Sequence, residues 1–298
     1  MAEKFSIESK LNFRELSLLI VDPNEFSRSL TRDICRSFRF GNITVVGNSL
    51  DAIDLLATNL FDVVICDWAL HPHSGAGFVR HSRTAAKMRN VCVPIIVLTA
   101  VSDLETITVA RDIGIHDFLT RPLVLGRLAS CLSRTLGAPQ TFIRCESYVG
   151  PNRRRKQRPF DGPERRAGKF GGTSFRPDEI LATAGKLSKP GGLTIGEMVA
   201  AGEAVILESE QHYRSVRSQD LDHLFTLTRE LKETHRPDDD LIKKLYLKSN
   251  DLKGMGQTFG YPLLTDAGEL SRAVLKFARQ ALPFDQVTRP WFAVQGRG

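Results

Sequence analysis

Short apolar runs that alternate with helical patterns are the feature of this sequence that most restricts its fold. Four apolar runs lie at residues 16–21, 43–46, 61–68 and 94–98, and a fifth strand is predicted at residues 116–119. Runs without polar alternation are typical of strands buried on both faces, and intervening helices with short connections are typical of parallel sheets. The pattern predicts an α/β domain over residues 14–137, with a doubly wound, five-stranded parallel sheet. Its predicted helices cover residues 24–38, 49–60, 76–87, 103–113 and 123–136.

Polar side chains follow four of these predicted strands. Asp22, Asp67, Thr99 and Arg121 each stand at or just beyond the end of an apolar run. Because the carboxyl ends of parallel strands meet at one edge, where open α/β folds bind their ligands, we expect the four to converge. Paired carboxylates suit a hard cation such as Mg²⁺, while a hydroxyl and a guanidinium suit phosphoryl oxygens. The sequence therefore predicts a functional site at this edge.

Four sequence landmarks carry a family resemblance. They are LLIVDPN, FDVVICDW with Gly75 beyond it, PIIVLTA and IHDFLTRPL. On these landmarks, residues 16–136 resemble the receiver domain of two-component response regulators, which has a flavodoxin-like fold.

The resemblance implies a role for each residue of the predicted site. Asp67 would be the phosphoacceptor, and Mg²⁺ would be held by Asp22, Asp67 and the backbone carbonyl of Ala69. The switch and phosphate-contacting positions would be Thr99, Phe118 and Arg121.

Two departures from the family pattern affect this site. Pro23 stands where the family has a second acid, and Arg121 stands where it has a lysine. The first removes a metal ligand, and the second replaces a compact ammonium with a planar fork. We therefore expect weak Mg²⁺ binding and altered switching. A pseudo-receiver scaffold that is not phosphorylated is the alternative.

The middle of the chain has no periodic pattern. Residues 150–177 are dense in Gly, Pro and Arg, a composition that buries too little apolar surface to offset ordering entropy. The sequence predicts a mostly disordered linker over residues 138–192. The linker is a solubilising tether, a tether that contacts an acidic face of its own domains, or a segment that binds nucleic acid or an anionic membrane surface. Its basic residues are Arg153, Arg154, Arg155, Lys156, Arg158, Arg165 and Arg166.

Helical patterns dominate the remainder of the chain. Helices are predicted at residues 193–217, 220–233, 238–259 and 261–280, with no strand pattern among them. Short connections between four helices indicate a second, all-α domain, an antiparallel bundle over residues 193–283, followed by a tail at 284–298.

The third of these helices contains SNDLKGMGQTFG, which resembles the histidine phosphotransfer motif. Asn250 stands where that family has its phosphorylated histidine, and an amide cannot form the phosphoramidate. Lys253 would neutralise a phosphoryl group, and Gly254 and Gly256 would let a partner approach the helix closely. The resemblance implies docking rather than transfer; a plain four-helix bundle is the alternative.

Together these features predict a response regulator of a bacterial-type phosphorelay that signals by protein–protein contacts. Its expected partners are a sensor histidine kinase or phosphotransfer protein and an unknown downstream protein. No enzymatic activity is expected. DPNEFSR after the first strand lacks the glycines of a dinucleotide-dependent oxidoreductase, and Ala69 stands where a phosphatase with an aspartyl nucleophile would need a second acid. No apolar stretch is long enough to span a bilayer, and five scattered cysteines indicate reduced thiols, so a cytoplasmic location is expected.

Overall fold

The computed structural model describes residues 10–99, 112–138, 140–145, 148–152, 173–175, 177–233 and 239–261. Its central feature is a five-stranded, all-parallel sheet in the order β2-β1-β3-β4-β5. The strands are β1 (Ser17–Val21), β2 (Asn42–Val46), β3 (Val63–Asp67), β4 (Ile95–Thr99) and β5 (Asp117–Thr120). The predicted doubly wound fold is confirmed.

Among the described residues, four helices flank this sheet: α1 (Glu25–Ser37), α2 (Ser49–Thr58), α3 (Gly75–Thr84) and α4 (Leu125–Gly137). Three of them begin with a side-chain cap, in which Asn24, Asn48 or Ser74 accepts a hydrogen bond from a backbone amide of the first turn. These polar caps explain why each helix starts where it does. The predicted helix at 103–113 lies almost entirely outside the described residues.

Successive side chains of each strand enter opposite cores. Leu19, Val64 and Val97 belong to the core beneath α2 and α3. Their neighbours Leu18 and Ile65 belong to the core beneath α1 and α4. This alternation buries both faces of the sheet and accounts for the unbroken apolar runs in the sequence.

The C-terminal helices extend the second of these cores. They are α5 (Asp178–Leu187), α6 (Ile195–Glu233) and α7 (Asp239–Thr258). Helix α6 packs against α1 and α4, and α7 packs against α6. At Gly202 a Cβ atom would lie 2.9 Å from Leu125 Cδ2, so the absence of a side chain lets α6 approach α4 closely. The helical region therefore shares a continuous core with the sheet domain.

Helix α6 differs from the sequence-based prediction of two helices. It is one helix of 39 residues, with no interruption between residues 217 and 220. That stretch contains neither Gly nor Pro, and Asp220 is held by an ion pair with Lys248 of α7. The predicted fourth helix, at 261–280, lies outside the described residues except for Tyr261. Within the described part of the chain, no helix is both long and apolar enough to cross a membrane.

A second difference concerns the segment that the sequence assigns to a mostly disordered linker. Strands β6 (Phe142–Cys145), β7 (Tyr148–Pro151) and β8 (Thr173–Phe175) form an antiparallel sheet in the order β7-β6-β8. Phe142 is fully buried against Phe175, and the Arg83 guanidinium lies 5.6 Å from its ring centroid. Isolated aromatic residues thus anchor this segment to the sheet domain. The seven basic residues lie outside the described residues.

The aromatic cluster that joins α6 to α1 provides a stability test. Tyr213 packs against Phe26 and Phe259, with ring centroids 5.1 Å and 4.8 Å away. Its buried hydroxyl has no hydrogen-bond partner among the described residues, and burial raises the pKa of this phenol. Because Tyr213→Phe removes an unpaired polar group, it should raise the free energy of unfolding in urea by about 1 kcal/mol.

Tyr261→Phe is the matched control for this test. The Tyr261 hydroxyl accepts a hydrogen bond from Arg214 Nε and donates one to Glu210 Oε1. Removing it should lower the free energy of unfolding by about 0.5 kcal/mol, since both partners are near solvent. Equal losses in the two variants would contradict the unpaired state of Tyr213.

Candidate functional site

The predicted convergence of polar residues occurs at the carboxyl edge of the parallel sheet. Asp67 ends β3, Asp22 follows β1 and Arg121 follows β5. Arg121 Nη2 donates to Asp22 Oδ2 at 2.8 Å and to Asp67 Oδ2 at 3.2 Å. The side chains of Arg121, Asp22 and Asp67 are only 8%, 5% and 13% exposed. One guanidinium nitrogen therefore bridges two buried carboxylates.

Both carboxylates also accept hydrogen bonds from residues close to them in the sequence. The Asn24 amide donates to Asp22 Oδ1 at 2.9 Å, and Ser27 Oγ donates to Asp22 Oδ2 at 2.6 Å. The Ala69 amide donates to Asp67 Oδ1 at 2.7 Å. Each of the four carboxylate oxygens thus accepts at least one hydrogen bond. The two acids are fixed in place by the loops that follow their own strands.

The other predicted residues of the sheet domain lie on the adjoining strands. Thr99 is buried at the end of β4, and its carbonyl accepts a hydrogen bond from the Arg121 amide at 2.7 Å. Phe118 lies on β5, is half-buried and packs against the core beneath α2 and α3. Thr99 therefore shares the edge with the carboxylates. The switch roles of Thr99 and Phe118 stay predictions.

Helix α7 covers this edge, which the sequence alone did not indicate. Asn24 Nδ2 donates to Asp251 Oδ2 of α7 at 3.0 Å. At Gly254 a Cβ atom would lie 2.7 Å from Arg121 Cδ, so only glycine permits this approach. Gly254, which the sequence predicts to let a partner approach closely, lies against Arg121 of the same chain.

Asn250 lies one helical turn before Gly254, and a spacing of four places both on the same face of α7. The Asn250 amide nitrogen is buried and has no hydrogen-bond partner among the described residues. Lys253 is half-buried on the same helix. Asp251 is the site residue that sequence reasoning missed. Asp251 lies three residues before Gly254, so the sequence places the two on the same face of α7. Only the fold shows that this face contacts the edge of the sheet.

Burial and like charge raise the pKa values of Asp67 and Asp251. Desolvation and then the charge of Asp22 raise the pKa of Asp67 to about 6, against the opposing effect of Arg121. Desolvation likewise raises the pKa of Asp251 to about 7, although the hydrogen bond from Asn24 lowers it in part. For Arg121, desolvation is outweighed by Asp22, Asp67 and Asp251, and the pKa is raised. Asp22, Asp67 and Asp251 therefore all favour the charged form of Arg121.

The residues present do not fit a Mg²⁺ ion in this arrangement. Mg²⁺ requires near-octahedral oxygen ligands, but Asp22 and Asp67 share Arg121, and Pro23 contributes no carboxylate. Nowhere in the described ranges do three His, Cys, Asp or Glu residues form a group that could hold a metal. Ala69 contacts Asp67 through its amide. The geometry places an arginine at the position where the sequence predicts a metal.

Comparison with known proteins agrees with this description of the first half of the chain. Residues 18–133 match the response regulator receiver domain family. The chemotaxis protein CheY-3 of Vibrio cholerae is 24% identical over 128 residues, which cover 43% of this chain and 96% of CheY-3. The transcriptional regulatory protein ZraR of Salmonella typhimurium is 26% identical over 122 residues, covering 41% of this chain but only 26% of ZraR.

Solved structures with similar folds include two receiver domains. One is the receiver domain of the sensor histidine kinase PA1611 from Pseudomonas aeruginosa, with a magnesium ion in its active site cleft. It is 24% identical, covers 41% of this chain and 98% of its own, and has a TM-score of 0.38. The other is a Saccharomyces cerevisiae complex of the phosphotransfer protein Ypd1 with the receiver domain of Ssk1. That match is 21% identical, covers 41% of this chain and 90% of the matched chain, and has a TM-score of 0.38.

Proposed function

We propose that this chain, whose residues 18–133 form a response regulator receiver domain, is a two-component signalling protein in which Asp67 accepts a phosphoryl group. The signal would be a change in the packing of α7 on the receiver edge. The observation that carries the proposal is that Arg121 contacts both the phosphoacceptor Asp67 and helix α7. Its guanidinium is ion-paired to Asp67, and its side chain lies against Gly254 of α7.

The chemistry requires a carboxylate nucleophile at Asp67. The pKa of about 6 leaves this group mainly ionised at neutral pH. With acetyl phosphate as donor, an Asp67 oxygen attacks phosphorus, and a new O–P bond forms. The bond from phosphorus to the acetyl oxygen breaks, and acetate leaves with the electron pair. Arg121, already 3.2 Å from Asp67 Oδ2, is placed to bind the incoming phosphoryl oxygens.

Phosphorylation would change the balance of charge beneath α7. A phosphoryl group adds negative charge and three acceptor oxygens beside Asp22 and Asp251, where Arg121 already pairs with two carboxylates. We expect Arg121 to turn toward the phosphoryl group and the Asn24–Asp251 contact to weaken. A coupling of about 1–3 kcal/mol, the usual scale between linked sites, would be enough to shift α7 between docked and released states.

The expected partners follow from this chemistry. The donor would be a sensor histidine kinase or a phosphotransfer protein, and a released α7 or the uncovered receiver edge would contact a downstream protein. Because Asn250 cannot carry a phosphoramidate, α7 would act by docking, as a phosphotransfer-like helix without transfer. The chain would therefore act in the cytoplasm as a switch rather than as an enzyme.

The intact mass after incubation with acetyl phosphate and MgCl₂ tests this function. Wild-type protein should gain one phosphoryl group slowly, and Asp67→Asn should gain none. Gly254→Leu, which cannot keep α7 against Arg121, should react about tenfold faster if α7 limits access. Gly185→Leu is the matched control and should behave like wild type, because no atom lies within 4 Å of the Cβ position at Gly185.

A phosphorylation-independent scaffold is the second candidate. The observation that favours it is that Arg121 and local amides already occupy every oxygen of Asp22 and Asp67. No mass gain in either wild type or Gly254→Leu would overturn the phosphoacceptor role and support the scaffold. A gain that survives Asp67→Asn would mean that another residue accepts the group.

A further inference from the structure

We propose that Arg121 is a resident cation that takes the electrostatic place of a divalent metal at this edge, so that α7 docks without any metal. This inference does not depend on phosphorylation of Asp67. It rests on three features of the site: the shared guanidinium nitrogen, the hydrogen bonds that every carboxylate oxygen already accepts, and the contact of α7 with the arginine stem.

The first feature is the position of the guanidinium between the two acids. A single nitrogen, Nη2, lies 2.8 Å from Asp22 Oδ2 and 3.2 Å from Asp67 Oδ2. A cation that bridges two carboxylates reduces their mutual repulsion, which is also what a metal ion does between paired acids. Burial strengthens this interaction, since all three side chains are nearly inaccessible to solvent.

The second feature is that every oxygen of the two carboxylates already accepts a hydrogen bond. The Asn24 amide, Ser27 Oγ and the Ala69 amide donate to these oxygens in addition to Arg121. Pro23 supplies neither a carboxylate nor an amide hydrogen where another acid would point into the site. A bound ion would compete with these donors, and with Arg121, for the same oxygens.

The third feature is the immobility that α7 imposes on Arg121. The arginine stem lies against Gly254, where even a Cβ atom would come within 2.7 Å of Cδ. Asp251 on the same helix adds a further negative charge that favours the arginine. The docked helix therefore leaves little room for the Arg121 stem to move away from the carboxylates. The docked helix and the resident cation stabilise each other.

Calorimetric titration of MgCl₂ into the full chain tests this proposal. Wild type should show no binding at low millimolar Mg²⁺. The double variant Pro23→Asp/Arg121→Lys adds a carboxylate and replaces the planar guanidinium with a compact ammonium. It should bind Mg²⁺ at least about tenfold more tightly than wild type. Arg134→Lys is the control for the Arg→Lys change, because Arg134 pairs with Asp117 away from this edge. Saturable Mg²⁺ binding by wild type below roughly 1 mM would overturn the proposal.

Hydrogen exchange provides a second measurement that does not require the double variant to fold. Peptides from α7 in wild type should exchange at the same rate in EDTA and in excess MgCl₂. Pro23→Asp alone should also remain insensitive to the metal, because Arg121 still bridges the carboxylates. A severalfold protection of α7 by Mg²⁺ in wild type would show that a metal, and not Arg121, secures the docked helix. Neither the calorimetric titration nor the hydrogen-exchange measurement uses acetyl phosphate, so both can be interpreted even if Asp67 is not phosphorylated.

Discussion

Replacing Arg121 with methionine should lower the free energy of unfolding at pH 7.5 by about 3–5 kcal/mol. Methionine keeps an unbranched side chain against Gly254 but removes the charge that Asp22 and Asp67 share. The loss is expected to be large because it leaves buried carboxylates without a counter-charge, which costs more than the net contribution of the original pair. Urea unfolding monitored by circular dichroism measures the change.

Arg134→Met is the control for this substitution. Arg134 also pairs with an aspartate, Asp117, but its side chain is 47% exposed, so its removal should cost less than about 1 kcal/mol. The Arg121→Met deficit should shrink as the pH falls, because the unpaired carboxylates take up protons and lose their charge. Equal losses in the two variants, or a deficit that does not change with pH, would contradict the role of Arg121 as a buried counter-charge.

Asp251→Asn should flatten the pH dependence of stability and make the protein more stable than wild type at pH 8. Burial raises the pKa of Asp251 from 3.8 to about 7 in the folded chain. The folded state thus binds this proton more tightly than the unfolded state. The resulting stabilisation is complete below the unfolded pKa and is lost as the pH rises through the folded pKa.

The asparagine side chain does not titrate, and its carbonyl oxygen can still accept the hydrogen bond from Asn24 Nδ2. At pH 8 the gain over wild type should be roughly 4 kcal/mol, the energy equivalent of the difference between a pKa of 3.8 and one of about 7. Thermal or urea unfolding between pH 4 and pH 8 measures both profiles.

Some slope should remain in the Asp251→Asn variant, because Asp67 has a pKa raised to about 6 and contributes with the same sign. Asp222→Asn, at an exposed position on α6, should follow the wild-type profile. If Asp251→Asn loses stability at every pH, then the ionised carboxylate stabilises α7, and the assigned direction of its pKa is wrong.

Much of the sheet domain could be predicted from local sequence. The runs that became β1, β3 and β4 are apolar at successive positions because both faces of these strands are buried. Once the strands are parallel, Asp22, Asp67 and Arg121 must lie at one edge, since each follows a strand end. The contact of Arg121 with both carboxylates follows from this topology together with the length of the arginine side chain.

The C-terminal half shows where local pattern ceases to be informative. An amphipathic helix reveals that it has an apolar face but not which surface covers it. Tyr213 faces Phe26 of α1, and Gly202 faces Leu125 of α4, so α6 completes the sheet domain's own core. The sequence-based prediction placed these helices in a bundle of their own because the same stripes would satisfy either arrangement.

The sequence by itself determined which polar residue stands at the end of each of four strands: an acid at β1 and at β3, a hydroxyl at β4 and an arginine at β5. It also determined that an asparagine occupies the phosphotransfer-like motif. Tertiary structure alone decided that the motif's helix lies on the arginine, that Asp251 joins the carboxylates, and that Phe142 and Phe175 order part of the middle segment. The physical reason is that strand burial and helix periodicity are local properties of the chain. The partner of an apolar face or a buried charge is chosen by contacts between residues far apart in sequence.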